Sequence, residues 1–170
     1  MHKTVWFKIH WFLGITAGII LLVVGVTGAI MSFEKEILRA INQDSYYVSV
    51  PTEQKKLSTK ELLEKFQTSN PNAKINSISF SSDEKSSTLI TIAGEGENAR
   101  KGITKYLNPY TAEVLPDLVG KDFFGFILRL HRWLAFPQDI REVGKQTVAI
   151  STISLIILII LTVIAVNMLL

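Results

Sequence analysis

Residues 11–33 read WFLGITAGIILLVVGVTGAIMSF, 23 positions without an Asp, Glu, Lys or Arg. A second run, TVAISTISLIILIILTVIAVNMLL, fills the 24 positions 147–170 in the same way. A helix needs roughly 20 apolar residues to cross about 30 Å of hydrocarbon, and each run exceeds that. Removed from a 170-residue chain, they leave a 10-residue head and a 113-residue segment between them. The fold class expected is therefore a membrane α-helical hairpin of two transmembrane helices, 11–33 and 147–170, with an outer domain, and not one soluble globule.

Charge sets the expected orientation. Lys3 and Lys8 precede the first span, and Met31-Ser32-Phe33-Glu34 after it is no small-residue cleavage site, so it reads as a retained anchor. The positive-inside rule places the head 1–10 and the C-terminus in the cytoplasm and the intervening segment outside. Trp6, Phe7 and Trp11 suit an inner interfacial belt and Trp133 an outer one. The segment carries 16 Lys or Arg against all 15 acids, with no basic stripe, which speaks against nucleic acid as a partner. With zero cysteines there is no disulfide, no thiolate metal site and no cysteine nucleophile. No nucleophile motif, metal-binding His pair or Gly-rich phosphate loop stands out, which makes hydrolysis the weakest functional reading.

Residues 34–120 read as a compact α+β domain. Residues 34–42 continue helically, and 43–51 are expected to be extended. Ser58-Thr59-Lys60-Glu61 has the pattern of a capping box, ahead of Leu62, Leu63 and Phe66 on one helical face. Strands are expected at 74–80, where Ile78 and Phe80 alternate and Ile75 is out of step, and at 87–93 and 102–107. A short returning strand is expected at 112–115.

Residues 121–146 read as an interfacial helix and connector. Phe124, Ile127, Leu128, His131, Leu134 and Ala135 share one helical face, Arg129 and Arg132 lie off it, and Pro137 ends the helix.

Three groups of residues carry a resemblance. They are KIHWFLG at 8–14 with Gly18, GVTG at 25–28 and FEKEI at 33–37; then LSTKELL at 57–63 with NPYTAEVL at 108–115; and LHRWL at 130–134 with VGK at 143–145. Together they resemble the PepSY-associated transmembrane family, and the middle group is similar to its PepSY domain. The resemblance implies a bacterial inner-membrane protein with a periplasmic loop domain. It also implies a relation to iron-uptake proteins, among them haem-containing reductases that carry electrons to ferric siderophores.

On that resemblance haem b is the cofactor expected. His10 and His131 are its candidate iron ligands, with Gly14 and Arg132 as candidate cofactor contacts. Neutral imidazole is a good axial ligand, and Gly14, Ala17, Leu21 and Gly28 fall within roughly 40° of His10 on a helix, leaving room for a flat porphyrin. The plainer reading of the same residues is helix packing through Gly14-x-x-x-Gly18, with His10 an interfacial side chain and His131 a satisfied core histidine. Arg129 and Arg132 suit haem propionates or an anionic siderophore, the plainer and favoured reading being lipid phosphates. His10 and His131 lie at opposite ends of the span and cannot ligate one iron, so a homodimer or another membrane subunit is the expected partner besides the lipid bilayer. The alternative function is a tethered binding or regulatory module acting on a peptidase or another membrane protein through an exposed sheet edge.

Overall fold

A computed structural model of the chain describes residues 2–52, 54–96 and 99–167, excepting the side chains of His2, Lys3, Trp6 and Ala165. The expectations placed on Lys3, Trp6 and residues 168–170 lie outside what is described. The chain divides into two compact units, Met1–Lys35 with Gly120–Leu170, and Glu36–Val119.

Among the described residues the first unit holds three α-helices, α1 (His2–Ser32), α5 (Lys121–Trp133) and α6 (Arg141–Asn167), each packed against the other two, with a short 3₁₀ turn at Gln138–Ile140 leading into α6. Two stretches are long and apolar enough to cross a membrane, Phe7–Ser32 in α1 and Lys121–Ile164, which takes in α5 and most of α6. The large aliphatic side chains of α1 and α6 mostly point outward, Leu22 being 66% exposed and Ile150 63%. What these two helices bury is small or hydroxylic: Ala17, Thr27, Ser151 and Gly144. The hydroxyls spend their hydrogens within their own helix, Thr27 on the Val23 carbonyl at 2.7 Å and Ser151 on the Thr147 carbonyl at 2.8 Å.

Helix α5 turns the predicted apolar face inward, burying Phe124 and Ile127 and half-burying His131. It stops two residues sooner than expected. Leu134 and Ala135 both adopt left-handed conformations, φ 57° and 54°, and return their N–H groups to the Leu130 and Arg129 carbonyls. The helix end is therefore made by a left-handed cap, two residues before Pro137. The segment 141–146, expected as connector, is the first part of α6, where Lys145 bridges Glu142 at 2.6 Å. At this turn the Arg141 guanidinium lies 5.0 Å from the Trp133 ring centre. A Cβ on Gly144 would collide with the Trp133 carbonyl, so only glycine permits this approach of the two backbones.

The second unit starts in α2 (Glu34–Ile41) and continues through α3 (Gln43–Tyr46), α4 (Thr59–Ser69) and an antiparallel sheet of order β1 (Ile75–Ser79), β2 (Thr88–Ile92), β3 (Ile103–Leu107). The capping box is present: Glu61 N–H donates to Ser58 Oγ, and the Glu61 carboxylate accepts from Ser58 N–H at 2.8 Å. Leu62 and Phe66 of α4 pack onto Ile90, Leu107 and Ala112, with Ile75, Ile78 and Ile92 around them. The register of β1 against β2 slips between Ile75 and Ser77, and this irregularity lets the out-of-step Ile75 share the core with Ile78. Phe80 falls beyond β1 and is exposed, contrary to the alternation expected of it. Gly102, at φ 72°, opens β3 where a Cβ would lie 2.6 Å from the Ile92 carbonyl oxygen.

Two further expectations are corrected. Residues 43–46 are a helical turn, the extended chain starting only at Tyr47. The turn is held by tertiary bonds: buried Asn42 exchanges hydrogen bonds with the Val119 backbone, and Ser45 Oγ donates to the Pro116 carbonyl. At 112–115 only one bridge forms, Leu107 to Val114, because Ala112 is left-handed at φ 66° and Pro116 follows.

Candidate functional site

The candidate residues separate into two places on the three-helix unit. His10 is exposed on α1, beside a groove of about 260 Å³ lined by Ile9, Leu13, Ser154, Ile157, Leu158 and Leu161. That is below the roughly 300–1,000 Å³ of ordinary ligand pockets. Gly14 is half-buried one turn on, and neither it nor Gly18 has any atom within 4 Å of where a Cβ would stand. The small-residue stripe divides accordingly. Ala17 and Gly28 are used in packing, and the Cβ positions of Gly14 and Gly18, on either side of Ala17, are open.

His131 sits at the other end of α1. Its Nδ1 is 3.0 Å from the Val24 carbonyl oxygen and 3.2 Å from Thr27 Oγ1. A carbonyl can only accept, so the hydrogen is on Nδ1 and His131 is the donor. Thr27 Oγ1 lies 2.7 Å from the Val23 carbonyl and 3.0 Å from the Val24 carbonyl, and with its hydrogen on either it offers a lone pair to the same Nδ1–H. The ring lies against Gly28, where a Cβ would be 3.2 Å from His131 Cε1. With Nδ1 engaged, the neutral imidazole keeps its basic lone pair on Nε2. A histidine whose other nitrogen donates to a backbone carbonyl is the usual arrangement of a metal-bound imidazole.

Between His10 and Thr27 there are 17 residues of helix, roughly 26 Å at 1.5 Å each. The structure therefore keeps the two histidines apart, as expected. Arg132 and Arg129 are exposed on α5, off the face that carries His131. Among the described residues no group of three or more His, Asp or Glu side chains gathers as a metal site. The donor set offers one imidazole at each end, which fits half of a bis-imidazole iron site and not a whole one.

The sequence reading placed His131 on an inward face but did not pair it with Val24, Thr27 and Gly28. The signal lay in GVTG at 25–28, a hydroxyl between two glycines in an otherwise aliphatic run. In the other unit, the Tyr46 and Tyr106 rings meet edge to face with centres 5.1 Å apart. Burial, and then the Tyr46 hydroxyl, push the ionisation of Tyr106 above the ordinary phenol range, so it is no acid–base group near neutral pH.

The model of a family described as the PepSY-associated TM region matches residues 7–167. No curated protein matches the chain.

Proposed function

The chain belongs to the PepSY-associated TM family, a membrane family, and from that premise we propose that it binds haem b for transmembrane electron transfer in iron or ferric-siderophore reduction. One observation carries this reading: the Nδ1–H of His131 is committed to Val24, which leaves Nε2 as an electron-pair donor on a helix packed against both spanning helices. Bound haem would supply one-electron exchange at its iron. The chain's own part is to hold one imidazole near each end of α1, with Arg132 available to a propionate or an anionic siderophore. A second copy provides the missing ligand at each end, and the open space beside Gly14 and Gly18, near His10, supports an approach of that kind.

The proposed location is the bacterial inner membrane, with Lys3 and Lys8 cytoplasmic and a PepSY-like 34–120 domain periplasmic. A chain with zero cysteines makes this easy to check. Single cysteines at Lys8 and Ser82 should react with an impermeant maleimide from opposite sides of the membrane.

The haem reading is tested on protein purified in mild detergent from haem-replete cells. A Soret band is expected, with His10→Ala and His131→Ala each removing one haem population. Colourless wild-type protein would sink it.

A second reading has its own observation. Strand β1 has a strand neighbour on one side only among the described residues, and this supports a tethered module that accepts a peptidase or another membrane protein by strand addition. A photo-crosslinker at Ser79 should then trap that partner in cells, whether or not haem is present.

A further inference from the structure

We infer that Thr27 and Gly28 are positioning residues that fix the tautomer of His131, holding its hydrogen on Nδ1 and its electron pair on Nε2. Three features of α1 act on one imidazole. The Val24 carbonyl accepts from Nδ1–H at 3.0 Å. Thr27 is only 3% exposed; its hydroxyl reaches the Val23 and Val24 carbonyls at 2.7 and 3.0 Å, and with its hydrogen on either of them the oxygen 3.2 Å from His131 accepts from Nδ1–H. Gly28 keeps clear the space beside Cε1, where a Cβ would stand at 3.2 Å. An imidazole with Nε2–H would set its Nδ1 lone pair against the Val24 carbonyl oxygen and leave only the Thr27 hydroxyl to meet it, at the expense of that hydroxyl's bonds to its own helix.

Each substitution has a distinct physical effect. In Thr27→Val a methyl group replaces Oγ1 at about the same place, too close to Nδ1 for a carbon, and drives the ring off the Val24 carbonyl as well. In Thr27→Ser the acceptor is kept and only the methyl is lost. In Gly28→Ala the added Cβ presses on Cε1 and moves the ring without touching the hydrogen-bonding groups. The class of ligand served rests on the reading proposed above: an electron-pair acceptor such as a haem iron, which needs a bare Nε2 and cannot use Nε2–H. The tautomer itself is a property of the chain without any ligand.

The test uses the full chain in detergent micelles with ¹⁵N-labelled histidine, His131 being assigned by comparison with His131→Gln. Long-range ¹H–¹⁵N correlation is recorded at about pH 9, above the usual histidine range. The expected result is His131 protonated on Nδ1 and bare on Nε2 in the wild type and in Thr27→Ser. Thr27→Val and Gly28→Ala should lose that single pattern for a mixture. Wild type protonated on Nε2 overturns the proposal without reliance on any variant. So does a Thr27→Val or Gly28→Ala protein that folds and keeps the Nδ1–H pattern. Soret absorbance on the same samples separates the two readings. Colourless protein with the Nδ1–H pattern intact rejects haem binding and upholds the positioning role. Haem bound with the same occupancy in Thr27→Val and Thr27→Ser, beside an unchanged tautomer, overturns it.

Discussion

The two units of this chain bury opposite things. In Glu36–Val119 the fully enclosed side chains include Leu62, Phe66, Ile90 and Leu107. In the three-helix unit α1 and α6 hide Ala17, Thr27, Ser151 and Gly144 and turn isoleucines and leucines outward. Burial out of water drives the first, and close helix approach with hydrogen bonding drives the second, since lipid is as apolar as leucine. An aliphatic residue is thus a fastening in the α+β core, whereas on α1 and α6 it mostly faces outward; α5, which buries Phe124 and Ile127, follows the first rule.

Substitutions can break or sharpen this contrast, and the chain provides separate reporters. All four tyrosines fall within 36–119 and all three tryptophans outside it. The largest effect expected is Phe66→Ala, which should cost the α+β unit about 3–5 kcal/mol. A urea melt should show it in the tyrosine near-ultraviolet signal with tryptophan emission unmoved. Loss of both signals together would show one cooperative body and end the comparison. Gly144→Ala should do the reverse, costing about 1–3 kcal/mol through the clash with the Trp133 carbonyl and moving tryptophan emission first.

Ser58→Ala removes the α4 cap and should cost about 1 kcal/mol in the tyrosine melt. Acid should act on carboxylates of both units. The Ser58 hydroxyl, then its backbone N–H, holds the Glu61 carboxyl below the usual carboxylate range. The Lys85 N–H, then the Ser86 hydroxyl, does the same for Asp83. A depressed folded-state pKa gives stability that is complete above the unfolded value, near 4, and is lost as pH falls through the folded one. The tyrosine melt should therefore weaken below about pH 4. In the three-helix unit the Lys145 ammonium likewise holds the Glu142 carboxyl below the usual range, so the start of α6 should loosen with the same sign, while the runs 11–33 and 147–170 hold no carboxylate to respond. Smallest of all, Ile156→Ala, at a side chain 52% exposed, should change stability by no more than about 0.5 kcal/mol.

What was legible in the sequence follows the same division. Spans, capping box and three strands were readable because each rests on local periodicity or a local hydrogen bond. The Gln43–Tyr46 turn was not, because its residues are indifferent helix formers held by bonds to Pro116 and Val119, some 70 or more positions away. The lost strand at 112–115 turned on the backbone angle of Ala112, which no pattern of hydrophobicity records. At the candidate site, composition drew attention to His10 and His131, but the partner of His131 is a backbone carbonyl, and every residue has one.

One feature of α1 bears on the bilayer itself. At 31 residues it is roughly 46 Å long, and its apolar stretch Phe7–Ser32 alone runs about 39 Å, against a hydrocarbon thickness near 30 Å. A helix with that excess leans, or thickens the lipid around it, so membrane thickness becomes a variable that sets its inclination. In a thinner membrane α1 leans further and in a thicker one it stands straighter. The depths at which its two ends, and the imidazoles near them, meet the aqueous phases are then chosen by the lipid as much as by the protein.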